Sequence, residues 1–99
     1  LVLDVRISVD PANTSAFEEL ARQLWEATHR REPGCRRYEY VRLATPGEYR
    51  AFMVFDDHDA FLVHQASSHH RELTASMRPF MRHTAIEFGQ PVAGAFGQA

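Results

Sequence analysis

The order in which hydrophobic periods follow one another is the feature that most constrains the fold of this chain. Residues 1–9 alternate between aliphatic and mostly polar side chains, which is the two-residue period of a strand with one buried face. Ser15 and Glu18 then have the spacing of a capping box, which predicts that a helix begins near Ser15. Apolar residues recur at helical spacing after it, and the pair Pro33-Gly34 predicts where the helix ends.

Two segments rich in aromatic and branched residues follow this helix. They are Cys35 to Leu43 and Tyr49 to Phe55, and the five residues between them include Pro46 and Gly47. Such a pattern predicts an antiparallel hairpin.

The remainder of the chain predicts a short helical stretch, a further helix and a final strand. Ser67 or Ser68 is expected to cap the helix, which is predicted to run to about Arg82, and the strand is expected at Ala85 to Phe88. The resulting order is strand, helix, strand, strand, helix, strand. That order predicts an α+β, ferredoxin-like fold in which an antiparallel sheet has helices on one face.

The hairpin carries bulky apolar side chains at both sets of alternate positions, although helices are expected on only one face of the sheet. An exposed apolar patch is typical of an interface, and a chain of 99 residues buries only a modest share of its surface alone. We therefore predict a homodimer in which two sheets meet face to face. One set of positions holds Tyr38, Tyr40, Phe52 and Val54, and the other holds Val41, Leu43, Met53 and Phe55.

Composition and charge exclude several classes of protein. The formal net charge is −2, and the one basic cluster is interrupted by Glu32 and Glu39, so we expect no nucleic-acid partner. A single cysteine cannot form an internal disulfide, and no apolar run approaches the roughly 18 residues that span a bilayer. These features predict a cytoplasmic protein with no membrane partner. We expect residues 1–99 to form one domain with an irregular tail from about residue 89.

Two groups of residues give the chain a resemblance to a known family. The segment Glu32-Pro33-Gly34-Cys35-Arg36-Arg37-Tyr38-Glu39 and the later residues Asp59-Ala60-Phe61, His64, Ser67 and His69 resemble the signature of the antibiotic biosynthesis monooxygenase family. The resemblance implies a dimeric α+β barrel. The family includes cofactor-independent oxygenases that convert phenolic polycyclic compounds to quinones, haem-degrading enzymes, a sugar-phosphate isomerase and proteins with no assigned reaction.

The chain departs from the family pattern at positions that often carry chemistry. Oxygenase and haem-degrading relatives often use an asparagine and a tryptophan in the pocket, but Asn13 and Trp25, the only such residues here, match neither position. A strand that commonly carries a glutamate and then a tryptophan reads Met53-Val54-Phe55. These departures disfavour haem degradation and weaken the case for quinone formation. We expect no haem, flavin or other cofactor.

His64 and His70 are the candidate catalytic residues. His70 stands where relatives usually have an apolar residue on the inward face of the helix, and an unperturbed histidine titrates near neutral pH. His64 has two interpretations of equal weight: a base in the pocket, or a buried histidine that ties the short helix to the next one. The residues expected to bind substrate, in a pocket between sheet and helices, are Tyr38, Phe52, Phe55, His69, Leu73 and Met77.

Six histidines raise the question of a metal site, but their spacing does not support one. His64 and His69 are five apart across a helix break, and the chain has no His-Glu-x-x-His or paired-cysteine pattern, so we predict no metal. Cys35 is the least attractive nucleophile, because it has no histidine partner in sequence.

Three functions remain open. The first, which we expect, is a cofactor-independent monooxygenase for a small aromatic or polyketide-like compound, as in antibiotic biosynthesis. It would deprotonate an electron-rich phenol with a histidine and let the carbanion react with dioxygen. The second is an isomerase or cyclase that uses the same base, and the third is a small-molecule-binding protein without chemistry.

Overall fold

The computed structural model describes residues 1–94, and the elements within this range follow the predicted order. Two consecutive helices correspond to the predicted short helical stretch and the predicted second helix. Single 3₁₀ turns precede the first helix of the chain and follow the last. The tail expected from about residue 89 begins after β4, and its residues 95–99 lie outside the described part. The bounds are β1 Val2–Val9, α1 Thr14–Arg31, β2 Cys35–Arg42, β3 Glu48–Phe55, α2 His58–Ala66, α3 Ser68–Met77 and β4 Met81–Gly89.

The four strands form an antiparallel sheet in the order β2-β3-β1-β4. Alternate residues of β1 are buried, as their two-residue period predicts, and they share a core with Phe17 and Leu24 of α1. Helices pack on this face only. The α+β, ferredoxin-like fold predicted from the sequence is thereby confirmed.

Helix α1 begins at Thr14, and the predicted capping box does not form. The side chain of Asn13, the residue before the helix, makes no capping hydrogen bond. Glu18 instead accepts hydrogen bonds of 2.6 and 2.8 Å from Arg42 and one of 2.5 Å from the Tyr49 hydroxyl. The Arg42 hydrogen bonds are the main reason that the pKa of Glu18 falls to about 2. A tertiary ion pair therefore replaces the local cap and ties α1 to β2 and β3.

The end of helix α3 differs most from the prediction. The helix ends at Met77 instead of near Arg82, and β4 begins at Met81 instead of Ala85. Pro79 has no amide hydrogen and cannot donate the hydrogen bond that would continue the α-helix, and residues 78–80 form one 3₁₀ turn. The chain then joins the sheet, with Met81 paired opposite Val9.

The hairpin register places Phe52 on the face of the sheet opposite to that of Tyr38. Tyr38 pairs with Met53 and Glu39 pairs with Phe52, because the pairing register joins even positions of β2 to odd positions of β3. The prediction that Tyr38 and Phe52 lie on the same face of the hairpin is therefore wrong. Cross-strand pairing decides which residues share a face, and periodicity within one strand cannot show it.

The open face of the sheet is less apolar than the sequence predicted. The guanidinium carbons of Arg37 and Arg50 lie 5.2 and 5.1 Å from the centre of the Phe52 ring, so charged groups cover the largest ring there. Ile86 and Phe88 of β4, which are 53% and 54% exposed, pair with Val5 and Leu3 and therefore lie on the face that the helices cover. The homodimer stays a prediction.

Candidate active site

A cavity of about 430 Å³ lies between the sheet and α3. Four of the eight predicted site residues line it, namely Tyr38, His64, His70 and Met77. The structure thus brings both candidate catalytic histidines to one cavity. The sheet side of the cavity is apolar and includes Leu3, Val5, Ile7, Ala51 and Met53.

The other four predicted residues lie outside the lining of this cavity. Phe55 is fully buried in the core, where the centre of its ring lies 5.3 Å from that of His64. His69 and Leu73 border a shallow pocket between α1 and α3 instead. Phe52 lies on the open face of the sheet, so the placement predicted for it between sheet and helices is wrong, for the register reason given above.

Three buried side chains from different elements meet beside the cavity. Glu32 directly follows α1, His64 lies in the last turn of α2 and His69 in the first turn of α3, and they are 5%, 2% and 8% exposed. Nδ1 of His64 lies 3.0 Å from each carboxylate oxygen of Glu32. Nε2 of His69 lies 2.5 Å from Oε2 of the same carboxylate. We call these three residues the Glu32 cluster.

Local backbone geometry brings the Glu32 cluster together. A Cβ atom at Gly34 would lie 2.8 Å from the Cβ of Ala60, so glycine is needed where the chain leaving α1 passes close to α2. Ser67 separates α2 from α3: its hydroxyl donates to the His64 carbonyl at 2.7 Å and accepts from the His70 amide at 3.3 Å. The predicted cap at Ser67 is confirmed. The break between α2 and α3 lets His64 and His69 contact the same Glu32 carboxylate.

The Glu32 carboxylate determines the protonation of the His64 ring. An ionised carboxylate accepts hydrogen bonds and donates none, so Nδ1 of His64 carries the proton that Glu32 accepts. The other nitrogen, Nε2, then holds a lone pair. Since the ring lines the cavity, His64 is equipped to accept a proton from a bound molecule.

Burial keeps His64 and His70 uncharged at neutral pH. It lowers the pKa of His64 below the usual 6.5, although the negative charge of Glu32 opposes this effect. Burial, together with the neighbouring His64, lowers the pKa of His70 to about 4. The centres of the two rings are 4.6 Å apart. The cavity therefore presents two neutral imidazoles side by side.

The ligand atoms of the Glu32 cluster all lie within 4.8 Å of one another, so these residues could hold a metal ion. Two imidazoles and a carboxylate are a ligand set of zinc and iron sites. Ligand atoms around a tetrahedral metal with bonds of about 2.0–2.1 Å are roughly 3.3 Å apart. The distances here, 2.5 and 3.0 Å, are shorter and fit hydrogen bonds better. The absence of a metal site stays a prediction.

Glu32 is the member of the cluster to which the sequence analysis gave no role. The sequence feature that could have identified Glu32 is its position beside Pro33-Gly34 in the family motif. Its burial, however, depends on the fold and on two partners from elsewhere in the chain. Carboxylates are seldom buried unless they are paired. Its pairing with His64 and His69 accounts for its position.

The low rank given to Cys35 as a nucleophile agrees with its environment. Its thiol donates to the Arg37 carbonyl, with a sulfur–oxygen distance of 3.6 Å. Burial raises the pKa of Cys35 to about 12, so the reactive thiolate is scarce at neutral pH.

A second cavity of about 550 Å³ lies between α1 and β2. Tyr38 and Tyr40 line both cavities, and their hydroxyl oxygens are 2.7 Å apart. The second cavity has no histidine among its described lining residues, and the Glu18–Arg42 ion pair borders it. The cavity of about 430 Å³ holds the two neutral imidazoles of His64 and His70 and is the candidate active site.

The sheet topology and the helices on one of its faces define a ferredoxin-like α+β protein with a cavity between its layers. The sequence profile of the family described as antibiotic biosynthesis monooxygenase matches residues 1–76, and the chain belongs to this family. The predicted resemblance is confirmed. No curated protein sequence matches the chain.

Solved structures agree with this assignment. A protein from Caulobacter crescentus CB15, named as a proposed antibiotic biosynthesis monooxygenase, is 26% identical, with a TM-score of 0.90 over 93% of this chain and 89% of that one. Rv0793 from Mycobacterium tuberculosis is 26% identical, with a TM-score of 0.85 over 95% and 96% of the two chains. The family name and the names of such relatives support a monooxygenase-type function. Within residues 1–94, no helix combines the length and the apolar character that crossing a membrane requires.

Proposed function

We propose that this chain is a monooxygenase for a small phenolic polycyclic compound, and that His64 is its base. The observation that carries the proposal is the contact between Nδ1 of His64 and the Glu32 carboxylate beside an apolar cavity. A carboxylate that orients an imidazole fixes the tautomer that accepts a proton and stabilises the cation that forms. Membership of the family supports the type of reaction.

The proposed reaction uses dioxygen as its only co-reactant. His64 accepts a proton from a methylene carbon whose carbanion is delocalised through the aromatic rings onto a ketone oxygen, as in an anthrone. The carbanion gives two electrons to dioxygen and forms a peroxide at that carbon. Loss of water then leaves a carbonyl group. One oxygen atom enters the quinone product, and the other leaves as water together with the two methylene hydrogens.

His70 has a different role in this proposal. Because its pKa is about 4, the ring stays neutral throughout the physiological range and is a weak base. The centre of its ring lies 4.6 Å from that of His64, which supports a role close to the carbon that His64 would deprotonate. Since its N–H faces the Gln65 backbone carbonyl, we assign its other ring nitrogen a hydrogen bond from a substrate hydroxyl, which orients the substrate.

The cavity suits a flat apolar substrate. Its volume of about 430 Å³ lies within the range of roughly 300–1,000 Å³ that small-molecule pockets occupy. Aliphatic residues of β1 form much of its sheet side, and Tyr38 and Met77 contribute further apolar surface. Burying the rings of a substrate against such walls contributes roughly 25 cal/mol per Å² of apolar area.

Oxygen uptake with 1,8-dihydroxyanthrone tests the proposal. We expect His64→Ala to lower turnover by about a hundredfold or more, the usual contribution of a general base, and His70→Ala to have a smaller effect. His58→Ala is the matched control, because His58 is an exposed histidine at the start of α2. Circular dichroism checks that each variant is folded. With ¹⁸O₂, one labelled atom should appear in the quinone.

Three results would contradict the proposal. Full activity in both His64→Ala and His70→Ala would exclude histidine catalysis. Exchange of the methylene protons with D₂O in the absence of oxygen uptake would indicate an isomerase or cyclase that uses the base alone. Binding of the anthrone with neither reaction would indicate a binding protein.

A further inference from the structure

We infer that the molecule bound in the histidine-lined cavity carries an anionic group, held by Arg78 and Arg82 at the end of the cavity farther from His70. The inference rests on the proposed function in one respect, that this cavity is the substrate site. It adds the chemical class of the substrate, an aromatic ring system with a carboxylate or similar acidic group.

The charged residues that line the cavity are of one sign. They are Arg78 and Arg82, whereas no aspartate or glutamate is among the lining residues in the described part of the chain. The whole chain has a formal net charge of −2. A positively charged cavity in a slightly acidic protein attracts anions and repels cations.

Arg78 and Arg82 differ from three other arginines of the chain in how they are paired. Arg36, Arg42 and Arg50 each form an ion pair of 2.5–2.7 Å with a carboxylate. Arg82 has only a longer contact of 3.4 Å with Asp10 and is 62% exposed. The guanidinium of Arg78 has no hydrogen bond or ion pair with any residue of the range 1–94. Both groups therefore have donors free for a ligand.

Their position also matches the geometry of the cavity. His70 and Arg78 are eight residues apart along α3 and the turn that follows it, which corresponds to about 12 Å at 1.5 Å per residue. Pro79 directly follows Arg78 and fixes the backbone there. An elongated ring system can thus have its reacting carbon near the histidines while an acidic substituent reaches the arginines. The planar guanidinium binds a carboxylate through two parallel hydrogen bonds.

Calorimetric titration with 2-naphthoate and 2-naphthamide tests the inference, because the two probes share a shape and differ in charge. For the native chain we expect naphthoate to bind about tenfold more tightly, the usual effect of one charge-assisted hydrogen bond. Arg78→Gln and Arg82→Gln should each weaken naphthoate binding several-fold and leave naphthamide binding unchanged. Arg71→Gln is the matched control, since Arg71 is exposed on α3 and does not line the cavity.

A variant with the opposite expected effect sharpens the test. Asp10→Asn removes the carboxylate that contacts Arg82 and retains an oxygen that can accept the Ala12 amide, as Asp10 does at 3.0 Å. It should strengthen naphthoate binding. Equal affinities of the native chain for the two probes, or no binding of naphthoate, would overturn the inference. Loss of oxygen uptake with an intact naphthoate preference would instead overturn only the proposed function.

Discussion

His64 and Glu32 are 32 positions apart in the sequence, and Nδ1 of His64 lies 3.0 Å from both oxygens of the Glu32 carboxylate. The carboxylate is in turn fixed by His69, at 2.5 Å. These contacts join the end of α1, the last turn of α2 and the first turn of α3. They orient a ring that borders the cavity, so removal of the carboxylate alone should alter catalysis without altering the apolar walls.

Glu32→Gln is expected to lower turnover roughly tenfold or more, because the imidazolium formed during proton transfer loses its negative partner. The pH profile should change as well. His64 is active when neutral, so activity falls as pH falls through its pKa, which lies below 6.5. Glu32 raises that pKa, so its removal should move the acid limb to lower pH. The profile of kcat against pH measures both effects.

Glu72→Gln is the control for this prediction, because Glu72 is an exposed glutamate on α3. It should leave the profile unchanged. An acid limb at the same pH in the native chain and in Glu32→Gln would show that His64 is not the titrating base.

His70 should make the folded state sensitive to mild acid. Its pKa is near 6.5 when the chain is unfolded and about 4 when folded, so below pH 6.5 the unfolded state binds more protons. The free energy of unfolding should therefore decrease from pH 6.5 downward, and the full loss is reached below pH 4. His70→Leu should reduce this slope, whereas His58→Ala should not. Urea denaturation at several pH values between 7.5 and 4.5 measures it, and equal slopes in the native chain and His70→Leu would contradict it.

The fold was predictable from the sequence because its signals are local. The alternation in residues 1–9 and the apolar spacing from Phe17 to Thr28 depend on neighbouring residues only. The start of α1 and the start of β4 were not predictable. Glu18 forms an ion pair with Arg42 instead of the predicted capping box, and pairing with β1 draws Met81 into the strand. Arg42 is 24 positions from Glu18, and such contacts leave no local pattern.

The site was predictable in part for the same reason. The family motif and the inward position on α3 identified His64 and His70, which share one cavity. Glu32 and the arginines at the cavity end were missed, since their roles depend on partners brought near by the fold. Phe52 was misplaced because register, which pairs it with Glu39, decides its face of the sheet.

The purified chain is expected to contain no stoichiometric metal, flavin or haem. The Glu32 cluster holds two imidazoles and a carboxylate, but these are already joined by hydrogen bonds of 2.5 and 3.0 Å that a metal would have to replace. Elemental analysis and a visible absorption spectrum test this expectation. One transition metal per chain, lost in Glu32→Gln and retained in Glu72→Gln, would show that the cluster is a metal centre.

The chain is expected to be a homodimer. No helix covers the second face of the sheet, where Val41 is 43% exposed, and Ile86 and Phe88 stay half-exposed at the β4 edge, so apolar surface remains that a second copy would bury. Light scattering at micromolar concentration should give about twice the 11.3 kDa chain mass. A stable monomer at that concentration would rule out the dimer.

Proton removal by His64 is the central claim, and it can be measured without dioxygen. On anaerobic mixing with 1,8-dihydroxyanthrone at pH 7, the native chain should produce the visible absorption of the bound substrate anion within the mixing experiment. His64→Ala should bind the same compound without producing that absorption, while His58→Ala should behave as the native chain does. An anion signal of equal size in His64→Ala, or its absence from the native chain with substrate bound, would contradict the account.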